Sequence, residues 1–163
     1  MPLRLNTPMP DLSGATEWLN RRPDRASLAG QPALIYFWSV SCHICHENMP
    51  RLADWRSLYA PRGLHLVAVH VPRQAQDTDV DGVRAALRAF QIVDPCGVDN
   101  QHALKTAFAA AYLPAYFLFD REGRLRARAG GEAGLGLLEQ PLHQLFERGD
   151  TAAGARLRWY PGT

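Results

Sequence analysis

The chain has 163 residues, enough for one domain and few for two. Hydrophobic residues make up 47% and charged residues 21%, which excludes a wholly disordered chain, and no apolar run approaches the roughly 20 residues of a membrane span. A net charge of +2 is too small for general nucleic-acid binding, so we expect no nucleic-acid partner and no membrane span.

The first half of the chain predicts two buried strands separated by a helix. Residues 1–32 contain many prolines and glycines and predict loops. Residues 33–40 form a continuous apolar run, as in a strand covered on both faces. Residues 64–71 predict a second buried strand. Between them, apolar positions over 52–59 share one helical face, and Pro50 predicts a kink in that helix.

The middle of the chain predicts an amphipathic helix, a short extended piece and another helix. The first helix covers residues 80–90, with residues 77–79 (Asp, Thr, Asp) as candidate caps. The extended piece lies near 92–98, and the second helix covers 104–111.

The last third predicts a strand over 115–120, then a hairpin into an alternating strand over 124–129. Apolar spacing over 138–146 predicts a final helix, which Pro141 kinks or delays and Gly149 ends. Strands that alternate with helices imply parallel crossovers, and the hairpin adds antiparallel pairing. The sequence therefore predicts an α/β fold, with a mixed sheet and helices on both of its faces.

Cys42 and Cys45 stand three residues apart where a buried strand turns into a helix. The N–H groups and the dipole of that helix favour a thiolate on Cys42. Lowering a cysteine pKa by about 1.5 units from about 8.5 takes about 2 kcal/mol, which a helix end and a nearby imidazolium can supply. The spacing also allows a disulfide, with Cys42 as the exposed attacking thiol and Cys45 as the more buried resolving thiol.

Two other functions and one structural role compete for these cysteines. The string from Cys42 to His46 has the c-type haem attachment pattern, but a strand precedes it and Met49 lies too near to be an axial ligand. Zinc needs four ligands, and Cys96 has no partner at the usual spacing. A pair of inert buried cysteines is disfavoured by the polar neighbours. We expect no cofactor and no metal, and we expect Cys96 to be a small buried apolar residue.

Residues 37–50 resemble the active-site segment of thioredoxin-like proteins. An aromatic strand ending near Trp38 precedes the cysteine pair, Pro50 follows the second cysteine by five residues, and Pro114 opens a later strand. The extra helix and strand between residues 71 and 104 are similar to an insertion of the TlpA/ResA branch.

Short stretches of the chain resemble the thioredoxin-like domains of DipZ-type and NHL-repeat-containing proteins; these are residues 17–20, 52–55 and 98–100. The resemblance implies one thioredoxin-fold domain over 1–163, with a core over about 12–148 and an unassigned tail over 150–163. It also implies a cis bond before Pro114, which with Leu113 would hold the substrate backbone beside the cysteines. We also take His43 and Trp38 as candidates for tuning the Cys42 thiolate or positioning the substrate, although a tryptophan at such a place is more often part of the core.

Three positions depart from the family pattern. Tyr36 stands where thioredoxins have a buried aspartate, and Asn48 stands where many TlpA-like proteins have a glutamate. Ser41 stands where a tryptophan is common. The usual proton acceptor for the resolving cysteine is therefore missing, and His43 or His46 could replace it or could be solvated residues at a helix start.

The resemblance implies a thiol–disulfide oxidoreductase that exchanges dithiols and disulfides with protein substrates. Its partners would be those substrates and an upstream electron donor or acceptor, and the protein would be a monomer. The alternative is a binding module with weak or no turnover, which the two missing acids favour. The first ten residues lack the features of a signal peptide, so we expect a cytoplasmic protein, or an exported one whose leader was removed.

Overall fold

Six strands form one mixed sheet in a computed structural model that describes residues 2–158, with side chains described as far as residue 147. In chain order the strands are β1 (Glu17–Leu19), β2 (Ala33–Trp38), β3 (His65–His70), β4 (Cys96–Val98), β5 (Ala115–Phe119) and β6 (Leu125–Gly130). The helices are α1 (Arg25–Leu28), α2 (His43–Glu47), α3 (Met49–Tyr59), α4 (Val80–Ala89), α5 (Ala103–Ala107) and α6 (Gly134–Arg158). Short 3₁₀ turns cover Ala60–Arg62 and Ala75–Thr78.

The strand order across the sheet is β1-β4-β3-β2-β5-β6. β2 pairs in parallel with β3 and antiparallel with β5, so it lies near the middle of the sheet. β4 pairs in parallel with β3, whereas β1 and β6 pair antiparallel with their neighbours. Every residue of β2 is buried, as its continuous apolar sequence predicts.

Two hydrophobic cores lie on the two faces of this sheet. One core contains Cys42 and Cys45 and is covered by α3, α4 and α6. The other core is covered by α5 and by apolar residues of the N-terminal segment, among them Leu3, Met9 and Leu12. The predicted α/β fold, with helices on both faces and an inserted helix plus strand (α4 and β4), is confirmed.

Several local predictions were wrong. Residues 1–32 are rich in loops as expected, but they also contain β1 and α1, and β1 was missed because its partner β4 lies far along the chain. The helix expected to kink at Pro50 is instead two helices separated at Asn48. Pro50 lies in the first turn of α3, where a missing N–H costs nothing.

The start of α4 and the end of α6 also differ from the sequence predictions. Asp79 alone caps α4, through a bond to the Asp81 N–H, while Asp77 has another role described below. The last helix does not end at Gly149 but continues to Arg158. A glycine inside a helix costs only about 1 kcal/mol relative to alanine, and helix-forming residues follow it. None of the described helices is long and apolar enough to cross a membrane.

Candidate active site

Cys42 and Cys45 form a disulfide in the loop-to-helix turn after β2, with their Cα atoms 5.3 Å apart. Cys42 is the N-cap of α2, and its Sγ accepts a hydrogen bond from the Cys45 N–H at 3.1 Å. The exposed fraction is 3% for Cys42 and 1% for Cys45. The sequence suggested that Cys42 is the more exposed of the two cysteines, but in the oxidised state both are buried. What distinguishes Cys42 is its position as the N-cap of α2.

Pro114 lies across the sheet from the end of β2. The Leu113–Pro114 peptide bond is cis, as expected from the resemblance. Ala115 pairs with Phe37, so continuing the antiparallel register places Pro114 opposite Trp38. Pro114 is buried, and Leu113 is half-buried and contacts both cores. The sheet thereby brings these two residues towards the segment that leads to Cys42.

Trp38 is a core residue. It is completely buried at the end of β2, in the same core as the two cysteines. Its ring packs edge-on against His70, with the centroids 5.0 Å apart, and against His46 at 6.4 Å. Trp38 therefore lies in the core next to the active-site turn.

The two histidines of the motif lie in different environments. His43 is 85% exposed, and its Nε2 lies 2.9 Å from Glu47 Oε1 one turn along α2. His46 is half-buried and stacks on Phe90, with the centroids 4.1 Å apart. Burial lowers the pKa of His46 below its ordinary value and outweighs a hydrogen bond from the His46 ring to the Ser39 backbone, which raises it. His43 is thus the solvated histidine and His46 the packed one.

Tyr36 occupies the position of the missing aspartate and reaches a carboxylate from elsewhere. Its hydroxyl donates to Asp94 Oδ2 at 2.7 Å. The guanidinium of Arg56, in α3, donates two hydrogen bonds to the same carboxylate, at 2.8 Å and 2.5 Å. Burial, followed by the charge of Asp94, raises the pKa of Tyr36 well above its ordinary value. This buried trio links β2, α3 and the inserted segment, and sequence reasoning missed it.

Asn48 also makes a neutral contact where a carboxylate was expected. Its side-chain amide donates to the Tyr116 hydroxyl at 2.9 Å. Burial raises the pKa of Tyr116 to about 12, despite this hydrogen bond. Neither substituted position therefore carries a group that titrates near neutral pH.

Asp77 is a further residue that sequence reasoning missed, since it looked like a helix cap. Its Oδ2 accepts hydrogen bonds from Ser41 Oγ at 2.6 Å and Ser39 Oγ at 3.1 Å. Burial raises the pKa of Asp77, but the hydrogen bonds from Ser41, the Arg73 N–H and Ser39 outweigh it and hold the pKa below its usual value. The run of polar residues around Asp77 offers no signal that one of them folds inward.

Cys96 is completely buried in β4 and is a free thiol. Burial raises the pKa of Cys96 to about 12. A thiol in this state is a poor nucleophile, in line with the expected apolar role.

Residues 5–128 match the model of the AhpC/TSA family. The chain belongs to this family. Among curated proteins, it is 40% identical to the thiol-disulfide oxidoreductase YkuV of Bacillus subtilis (strain 168) over 145 residues, which are 88% of this chain and 97% of YkuV. It is therefore a thiol–disulfide oxidoreductase of the thioredoxin-like superfamily, as the motif at Cys42 and Cys45 predicted.

Two other relatives bear on the branch. The chain is 34% identical to protein DipZ of Mycobacterium tuberculosis (strain CDC 1551 / Oshkosh) over 91% of its own length but only 22% of DipZ. It is 22% identical to the thiol-disulfide oxidoreductase ResA of Bacillus cereus (strain ATCC 10987 / NRS 248), over 80% of this chain and 72% of ResA. The predicted placement in the TlpA/ResA branch is confirmed.

The fold is shared with a solved structure described as a thioredoxin-like protein in the oxidised form. The two chains are 39% identical and superpose with a TM-score of 0.81, over 90% of this chain and 99% of the other. The expected thioredoxin fold is confirmed.

Proposed function

We propose that Cys42 attacks disulfides and that Cys45 resolves the resulting intermediate. The Cys42 thiolate attacks one sulfur of a substrate disulfide, forming a mixed disulfide and releasing the other substrate sulfur as a thiolate. Cys45 then loses its proton and attacks the Cys42 sulfur. This forms the Cys42–Cys45 disulfide and releases the second substrate thiolate, so two electrons pass to the substrate. The reverse sequence oxidises a substrate dithiol.

The observation that carries this assignment is the hydrogen bond from the Cys45 N–H to Cys42 Sγ at 3.1 Å. Cys42 is the N-cap of α2, where unpaired N–H groups and the helix dipole stabilise a negative charge. Cys45 lies inside the helix and lacks that support. The thiolate is therefore more stable on Cys42, which supports its role as the nucleophile.

The remaining site residues receive supporting roles in the proposal. Pro114 and Leu113 would hold the substrate backbone beside Cys42, supported by the register that places Pro114 opposite Trp38. Trp38 would keep the active-site turn rigid through its packing in the core. His43 would tune the Cys42 thiolate from the solvent side, at the first position between the two cysteines.

We infer protein thiols and disulfides as the substrate class, and an upstream electron donor or acceptor as the redox partner. The family of relatives named thiol-disulfide oxidoreductase supports this class. We further propose that the chain is a single domain and a monomer. One sheet carries both hydrophobic cores of the described residues, which supports a single folding unit.

Trapping variants test the two cysteine roles. Cys45→Ala removes the resolving sulfur, so the reaction should stop at the mixed disulfide. We expect this variant to accumulate adducts with a disulfide-containing model protein such as insulin, visible on a non-reducing gel and released by dithiothreitol. Cys42→Ala should accumulate few or none.

The wild type provides the reference for the same experiment. It should accelerate insulin reduction by dithiothreitol and hold no lasting adduct. Adducts on Cys42→Ala in place of Cys45→Ala would reverse the two roles. Adducts on neither variant, with both folded, would contradict the proposed exchange with protein disulfides.

A further inference from the structure

Asp77 reaches across from the chain that follows β3 to the segment that leads into Cys42. Its Oδ2 accepts hydrogen bonds from Ser39 at 3.1 Å and from Ser41 at 2.6 Å. Ser41 is exposed and directly precedes Cys42, whereas Ser39 is completely buried. One carboxylate therefore fixes both ends of the three-residue connection between β2 and Cys42.

Val40, which lies between these two serines, is also hydrogen-bonded to a residue of the chain around the end of β3. The Val40 N–H donates to His70 Nε2 at 3.1 Å, and His70 is the last residue of β3. Arg73 adds a bond from its Nη1 to the Ser41 carbonyl at 3.0 Å. All three connecting residues are thus bonded to residues between 70 and 77.

Asp77 is itself held firmly, so it can act as a fixed anchor. Its side chain is buried, with 2% of the residue exposed. It accepts the Arg73 N–H at 2.9 Å and a longer bond from the Gln74 amide at 3.5 Å. Hydrogen bonds from Ser41 and its neighbours keep the pKa of Asp77 below its usual value, so the carboxylate is charged at neutral pH.

We propose that Asp77 is a positioning residue for Cys42: by holding Ser39 and Ser41 it keeps the Cys42 sulfur in line with the first turn of α2. The proposal rests on the role of Cys42 as the attacking thiol. The stabilising Cys45 N–H lies 3.1 Å from that sulfur, and hydrogen bonds weaken steeply as their geometry departs from linear. A connection freed from Asp77 lets the sulfur move, and the thiolate loses part of its stabilisation.

A double-mutant cycle tests this proposal on the reduced protein. Asp77→Ala, Ser41→Ala and the double variant are compared with the wild type by the pH dependence of the iodoacetamide reaction, with mass spectrometry assigning the modified cysteine. We expect each single change to raise the Cys42 pKa by about half a unit, roughly a threefold loss of thiolate below the pKa. The double variant should shift no further than the larger single shift, because the contact that Ser41→Ala removes is one of those that Asp77→Ala also removes.

Two further variants separate positioning from general damage. Asp79→Ala removes the cap of α4 only two residues away and should cost stability without moving the Cys42 pKa. Asp77→Asn keeps an oxygen that can accept a serine hydroxyl and should recover part of the Asp77→Ala shift. The exposed Ser41→Ala variant keeps the test decisive if Asp77→Ala does not fold.

Several outcomes would overturn the proposal. An unchanged Cys42 pKa in folded Asp77→Ala, or shifts that add in the double variant, would remove Asp77 from the role. A lowered pKa would mean that Asp77 acts on Cys42 through its charge and does not position it. If iodoacetamide modifies Cys45 first in the wild type, the cysteine assignment fails, which is a different result from an unshifted Cys42.

Discussion

His43 follows Cys42 directly, and its ring pairs with Glu47 one turn along α2. The imidazole is largely exposed, and water and salt screen its effect on Cys42. Glu47 also offsets part of the positive charge that a protonated His43 would bring. The effect of His43 on the Cys42 pKa should therefore be small and should depend on the salt concentration.

We expect His43→Ala to raise the Cys42 pKa by a few tenths of a unit at about 0.01 M salt and to leave it unchanged at about 1 M salt. The measurement is the iodoacetamide rate of the reduced protein as a function of pH. The matched control is His143→Ala, which removes another exposed histidine paired with a glutamate one turn on, Glu147 at 3.2 Å, in α6. A shift that survives at high salt would point to a direct contact between His43 and the thiolate.

At the level of elements, the inserted segment is tied to the core by a buried ion pair. Arg56 of α3 and Asp94, which precedes β4, have side chains only 19% and 5% exposed. Tyr36 adds its hydroxyl from β2. Removing one charge of such a pair leaves the other buried without a partner, which costs far more than losing a neutral hydrogen bond.

We therefore expect Arg56→Met to lower the free energy of unfolding by about 3–5 kcal/mol and Tyr36→Phe by only about 1 kcal/mol. Urea unfolding at neutral pH followed by circular dichroism measures both. Arg51→Met is the control, because its ion pair with Glu139 is exposed and should contribute less than about 1 kcal/mol. Equal losses for Arg56→Met and Arg51→Met would contradict the special role of the buried pair.

The elements also show which features a sequence can reveal. β2, β3 and β5 were predictable because each is a mostly apolar run of which nearly every residue is buried. β1 was not predictable from the sequence, because its three residues are stabilised as a strand only by pairing with β4. The end of α2 at Asn48 depends on local backbone geometry, which the helical apolar pattern conceals.

The residues of the site also fall into those that the sequence predicts and those that it does not. Cys42 and Cys45 stand out because their spacing is local, and Pro114 stands out because it opens a strand. Asp94 and Asp77 do not, because their partners Tyr36 and Ser41 lie 58 and 36 residues away in the chain. An aspartate that folds inward looks in sequence like any polar loop residue until the partner strand is known.

For the molecule as a whole, His70 should dominate the pH dependence of stability in mild acid. Burial lowers its pKa from about 6.5 to about 4, against an opposing effect of the Asp77 charge. The unfolded chain therefore binds a proton at His70 before the folded protein does. The stabilising effect of a neutral His70 is complete above about pH 6.5 and is lost as the pH falls towards about 4.

We expect the free energy of unfolding to fall by about 3 kcal/mol from this group between about pH 7 and pH 4. His46 and His65, whose pKa values burial also lowers, act in the same direction. Urea unfolding at several pH values measures the slope, and His70→Asn, which can still accept the Val40 N–H, should flatten it. An equal slope in the two proteins would mean that His70 is protonated in the folded state or that other groups set the profile.

The two edges of the sheet determine how another polypeptide can approach it. At one edge β1 has only three residues, too few to template a further strand of useful length. At the other edge the N-terminal segment already bonds both backbone groups of Leu125, with Asn6 donating at 2.7 Å and Thr7 accepting at 2.9 Å. Strand addition is thereby discouraged at β1 and at the start of β6. Self-association through these two positions is disfavoured for the same reason. Because Cys42 follows β2 near the middle of the sheet, we expect a disulfide-bearing partner to approach the end of that strand and not an edge of the sheet.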